Sequence, residues 1–132
     1  MRMNTDIVLE YIEAINSHDI EGIVNLMSKD HTFIDSGGIE AKGIKRMRTG
    51  WTEYFEMCPD YTIAIEELLE KENIIALFGR TKGTYNLEKK PGKGIFWECT
   101  AAWKVVVEKG KIKIWQVFAD WSSFHELLNK NK

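Results

Sequence analysis

Proline, cysteine and histidine are scarce: two, two and three among 132 residues. Cys58 and Cys99 lie far apart among apolar and aromatic neighbours. That spacing makes neither a disulfide framework nor a CxxC zinc site, and both read as free buried thiols of a reducing cytoplasm. His18, His31 and His125 share neither the i, i+4 nor the i, i+2 spacing that chelation favours, so no metal site is expected. The formal charge of −2 offers no basic footprint, which argues against nucleic acid as a partner. No apolar run approaches the ~18 residues that a membrane span requires, and the amino terminus lacks an apolar signal core. Also missing are a glycine-rich phosphate loop and a Ser/His/Asp or Cys/His order for nucleophilic catalysis. A cofactor-independent, cytoplasmic single domain over residues 1–132 is the expectation that these absences leave.

What the chain does have is rings: five Trp, four Tyr and six Phe. Buried aromatics each carry roughly 150–250 Å² and serve cores, pockets and interfaces alike. Val8, Tyr11, Ile12 and Ile15 recur at helical spacing behind a cap at Asn4 or Thr5. Asp19 caps a second helix whose end is read over Asn25–Ser28. A short strand follows at residues 31–35, broken by Gly37-Gly38. Gly43 opens a third helix that runs to about Cys58 and stops at Pro59. Tyr61–Glu70, Ile74–Tyr85, Ile95–Val107 and Ile112–Trp121 then read as four antiparallel strands. Glu88–Gly94 reads as a polar hairpin loop and Glu108–Lys111 as a tight turn, with a short helix from about Ser122. Helices first and a meander after them give an α+β layer fold with a pocket between the layers.

Two side chains stand out chemically. Tyr11 lies on an otherwise aliphatic helical face, and Asp35 ends a strand beside two glycines. A phenol and a carboxylate sharing an apolar cavity can move a proton at carbon, provided burial raises the acid from its usual ~3.9. Each also has a structural explanation: Asp35 as a turn acceptor, Tyr11 as a core phenol bonded to backbone or water. Trp51, Tyr54 and Phe55 share one side of the third helix and fit a cavity mouth or plain packing. Trp97 and Trp103 share a strand face with Cys99 and Ala101, and that face suits either the cavity or a dimer surface. Strict alternation opposes Trp115 to Asp120. Asp120 therefore reaches the cavity only through a bulge, and otherwise caps the last helix. His31 reads as an exposed or edge residue and His18 as a capping one.

Several segments together resemble the nuclear transport factor 2-like superfamily, with its SnoaL-like and ketosteroid isomerase-like proteins. They are Tyr11–Asp19, Asp30-His31-Thr32-Phe33-Ile34-Asp35, Pro59-Asp60-Tyr61, Lys109-Gly110-Lys111-Ile112 and Trp115–Asp120, in that order. The resemblance implies a cystatin-like cone: three N-terminal helices on a strongly curved antiparallel sheet enclosing a pocket, then a short C-terminal helix. It implies Tyr11 as oxyanion donor and Asp35 as proton carrier. The isomerases' second, carboxylic-acid donor falls on Ala102, a departure that argues against steroid isomerisation. Asp120 resembles the terminal-strand aspartate of the polyketide cyclases. The implied ligand is a small apolar carbonyl or hydroxyl compound, held among Trp51, Tyr54, Phe55, Trp97, Ala102 and Trp115. The implied activity is that of an isomerase, cyclase or lyase, and the implied partner is a second copy docked through the sheet. The other reading is a non-catalytic binding or dimerising module.

Overall fold

The computed structural model describes residues 3–86 and 94–130. The Glu88–Gly94 loop expected from sequence therefore lies almost wholly outside the described residues.

Helix α1 (Asn4–Asn16) buries the predicted stripe, with Val8, Tyr11 and Ile15 all fully enclosed. Its N-cap is Met3, one residue ahead of the expected cap, and the Met3 amide donates to the Asp6 carboxylate. Asp19 caps α2 (Ile20–Asn25) by accepting from the Gly22 amide at 3.0 Å. Strand β1 (Met27–Ile34) begins where the helix end had been expected, and β2 (Glu40–Lys42) folds back on it. Helix α3 (Ile44–Met57) follows, then β3 (Thr62–Lys71), β4 (Ile74–Tyr85), β5 (Ile95–Glu108), β6 (Lys111–Ala119) and α4 (Ser122–Lys130). Lys109 and Gly110 both take positive φ, 53° and 75°, the geometry that twists a two-residue hairpin correctly.

The sheet has six strands in the order β2-β1-β6-β5-β4-β3. It is not purely antiparallel as expected, because β1 runs parallel to β6. Nor is it strongly curled, in contrast to the expected cone, and helices pack on it. Two irregularities decide which side chains face the interior. Between Ile65 and Glu67 the β3–β4 register slips by one, so Ile63, Ile65 and Leu68 all face inward. Between Met27 and Thr32 the β1–β6 ladder is interrupted, and the Ile112 carbonyl accepts instead from His31 Nδ1–H at 2.8 Å. His31 is thereby fully buried, not exposed as its strand-start position suggested. His18 is no simple cap either. Its ring donates to the Tyr61 carbonyl at 2.8 Å and stacks on Phe55 at 4.0 Å, tying the α1–α2 turn to α3 and β3.

Candidate functional site

Side chains at 31, 33 and 35 share one face of an extended segment, so burial of His31 turns Phe33 and Asp35 inward as well. At the strand end the Gly38 amide donates to the Asp35 carbonyl at 2.9 Å and closes a turn. Asp35 Oδ1 accepts from the amides of Gly37 and Ile39, both at 2.9 Å. Oδ2 carries no hydrogen bond among the described residues, and Asp35 borders a cavity of about 410 Å³. The volume is within the ordinary range for small-molecule sites.

Helix α3 contributes the opposite wall. Arg46, Met47, Gly50, Trp51 and Tyr54 repeat at the spacing of one helical face and all border the cavity. The sheet supplies the floor through Thr81, Trp103, Trp115 and Val117, and Tyr61 and Trp121 complete the rim. The Trp121 indole donates to Ser36 Oγ at 3.0 Å, which fastens the end of β6 to the Asp35 turn. Burial pushes the Tyr54 phenol above its usual range and Tyr61 up to about 12. Both remain neutral hydrogen-bond donors throughout the physiological range.

The residues singled out from sequence divide by position. Asp35, Trp51, Tyr54 and Trp115 border one cavity. Tyr11 lies one layer beneath it, fully buried, with its ring 4.9 Å from Trp115. Among the described residues its hydroxyl completes no hydrogen bond, and the same holds for Trp51 Nε1 and His31 Nε2. Burial raises the Tyr11 phenol strongly, and the nearby Trp51 indole opposes part of that rise. Burial likewise holds His31 below its ordinary value, so the ring is neutral, with the proton on Nδ1.

Phe55 and Trp97 support the wall from behind without bordering the cavity. Phe55 stacks on His18, and Trp97 packs 4.9 Å from Trp121. Ala102 faces the other side of the sheet, in register between Phe78 and Phe118. The inward β5 position beside it is Trp103, so no carboxylic acid occupies that part of the cavity. Asp120 also stays outside. It is exposed, its Oδ1 accepts from the Ser122 amide at 3.0 Å, and the Ser122 side chain together with that amide holds the carboxyl below the usual range. The helix-entry role is the one this geometry displays. Sequence reasoning passed over Arg46, Gly50 and Thr81. The i, i+4, i+5, i+8 spacing of Arg46, Gly50, Trp51 and Tyr54 was the available signal.

A family model for the SnoaL-like domain matches residues 8–115. The chain belongs to the SnoaL-like domain family. Among solved structures, this SnoaL-like chain resembles a candidate SnoaL-like polyketide cyclase from Shewanella denitrificans. The TM-score is 0.86 at 16% identity, covering 98% of this chain and 99% of that one. IdmH from Streptomyces antibioticus, a candidate polyketide cyclase, superposes with a TM-score of 0.80 at 19% identity, covering 97% and 99%. TerC, co-crystallised with polyporic acid, gives 0.80 at 20% identity, covering 96% and 98%. Identities this low establish a shared fold and nothing finer. Comparison with curated proteins yields no match. No helix among the described residues is long and apolar enough to cross a membrane.

Proposed function

We propose that the cavity binds a small apolar molecule bearing a carbonyl or hydroxyl, and that Asp35 moves a proton on it in an isomerase-, cyclase- or lyase-type reaction. The observation that carries this reading is a carboxylate that borders an aromatic-lined cavity with one oxygen anchored by two amides and the other left without a partner among the described residues. The two amide bonds fix the carboxyl plane, and a fixed base loses little orientational freedom in the transition state. Oδ2 takes the proton from an activated carbon as negative charge builds on the substrate oxygen. Tyr11 is the proposed donor to that oxygen: its hydroxyl is protonated, buried and unpartnered behind Trp51 and Trp115. A ligand oxygen entering between those rings satisfies the phenol. The polyketide-cyclase-like neighbours and the neighbour crystallised with polyporic acid favour small-molecule chemistry in this fold.

The test is deuterium uptake at the activated carbon of a fused-ring ketone such as 2-tetralone, followed by NMR with wild type and Asp35→Asn. The substitution retains an oxygen for the Gly37 and Ile39 amides and removes the base. One observation favours the non-catalytic reading: the Asp35 turn bonds are by themselves a sufficient structural use for the residue. Uptake no faster than in buffer alone would establish that alternative.

The outer sheet face is the proposed dimer surface. Phe78 and Phe118 are 43% and 50% exposed on either side of Ala102, and a second copy laid against them covers both rings.

A further inference from the structure

Among the described residues the cavity carries one cation, and no carboxylate claims it. Among the described arginines, Arg48 pairs with Glu21 and Arg80 with Glu98, at 3.5 Å for the latter. Arg46 has neither an ion pair nor a hydrogen bond among the described residues, and of the charged side chains only it and Asp35 border the cavity. The two are not paired with each other and both border the same cavity.

The Arg46 guanidinium lies against the bare backbone of its neighbour one turn on. Helical side chains ordinarily lean toward the helix N-terminus. Arg46 reaches the other way, and Nη1 lies only 3.0 Å from where a Cβ at Gly50 would stand. Gly50 itself borders the cavity, so its bare backbone makes the shelf on which the guanidinium rests over the mouth. A glycine inside a helix costs roughly 0.5–1 kcal/mol relative to alanine. Here that glycine has a positional use. Guanidinium is permanently charged and presents a planar fork of donors suited to an oxyanion delocalised over two atoms.

We infer that Arg46, seated on Gly50, selects an anionic ligand: an apolar ring system bearing one delocalised oxyanion of the carboxylate or enolate class. The ring fills the space among Trp51, Trp103 and Trp115, the oxyanion meets the fork of Arg46, and the opposite edge of the ring faces Asp35. Asp35 does not repel such a ligand strongly, because two amides already engage Oδ1 and the anionic end lies on the α3 side. This inference rests on the proposed small-molecule role of the cavity and adds the charge of its ligand.

The experiment compares 2-naphthoate with 2-naphthamide, equal in shape and different in charge, by calorimetry and by quenching of the cavity tryptophans. Wild type favours naphthoate by about tenfold, the scale of one charge-assisted pair at a partly solvated site. The preference shrinks as salt is added. In Arg46→Gln the preference disappears while naphthamide affinity is kept. Arg46→Lys retains part of it. Gly50→Ala, which displaces the guanidinium without removing it, weakens the preference too. Equal binding of acid and amide to wild type, or a preference that survives Arg46→Gln, overturns the anion inference and leaves the cavity reading intact. Failure of both rings to bind overturns both.

Discussion

The Trp51 indole N–H lies close enough to the Tyr11 hydroxyl to oppose part of the phenol's rise in pKa, yet neither group completes a well-formed hydrogen bond among the described residues. A buried hydroxyl left unpaired costs stability, commonly about 1–3 kcal/mol. Tyr11→Phe is therefore expected to be neutral to about 1 kcal/mol more stable in urea titrations. The same variant is expected to lose proton-transfer rate if the phenol serves the substrate oxygen. Gained stability with lost rate marks a group kept for function. Loss of stability would show that the hydroxyl already has a structural partner.

Gly79 sits where the β3 bulge brings the Ala64 carbonyl against β4. A Cβ at Gly79 would lie 1.9 Å from that oxygen, which as a backbone atom cannot swing aside. Gly79→Ala is expected to lower stability by at least about 2–3 kcal/mol, at or above the upper end of ordinary overpacking. The urea midpoint measures it.

His31 gives the fold a pH dependence of known sign. Its folded pKa is depressed by burial, so between the unfolded value near ~6.5 and the lower folded value the unfolded chain binds the extra proton. Its contribution is intact above that unfolded value and falls as pH drops through the window, by at most roughly 1.4 kcal/mol per pH unit for one proton. His31→Gln is expected to flatten stability against pH below about 6.5. An unchanged slope would place the titrating group elsewhere.

Phe118→Glu puts a charge at the centre of the proposed dimer face without touching the cavity. Light scattering is expected to show a dimer for wild type and a monomer for the variant, with little change in unfolding midpoint per chain. A wild-type monomer at high concentration would remove the sheet-face partner.

The legible parts of the sequence were those governed by local period. The α1 stripe and the Lys109-Gly110 turn follow from residues close in sequence, and both stand as read. The start of β1 was misread because Met27-Ser28 continues an apolar pattern that a six-residue helix cannot distinguish from a strand. The burial of His31 was not legible, since its partner carbonyl lies 81 residues away at an interrupted ladder. Likewise Asp35, Trp51, Tyr54 and Trp115 were recognisable as residue types, while the inward β5 position fell on Trp103 and not Ala102. Arg46 was hidden for a related reason: a charged residue on an amphipathic helix reads as solvent-facing until the guanidinium is seen lying against Gly50 at the cavity.

The rate of deuterium uptake by 2-tetralone, taken as the ratio of wild type to Asp35→Asn, tests the central claim most directly. Matching unfolding midpoints of the two proteins confirm that the turn survives. A positioned general base predicts a ratio of about 10² or more. A ratio of one, with both proteins folded, would contradict Asp35 as the proton carrier.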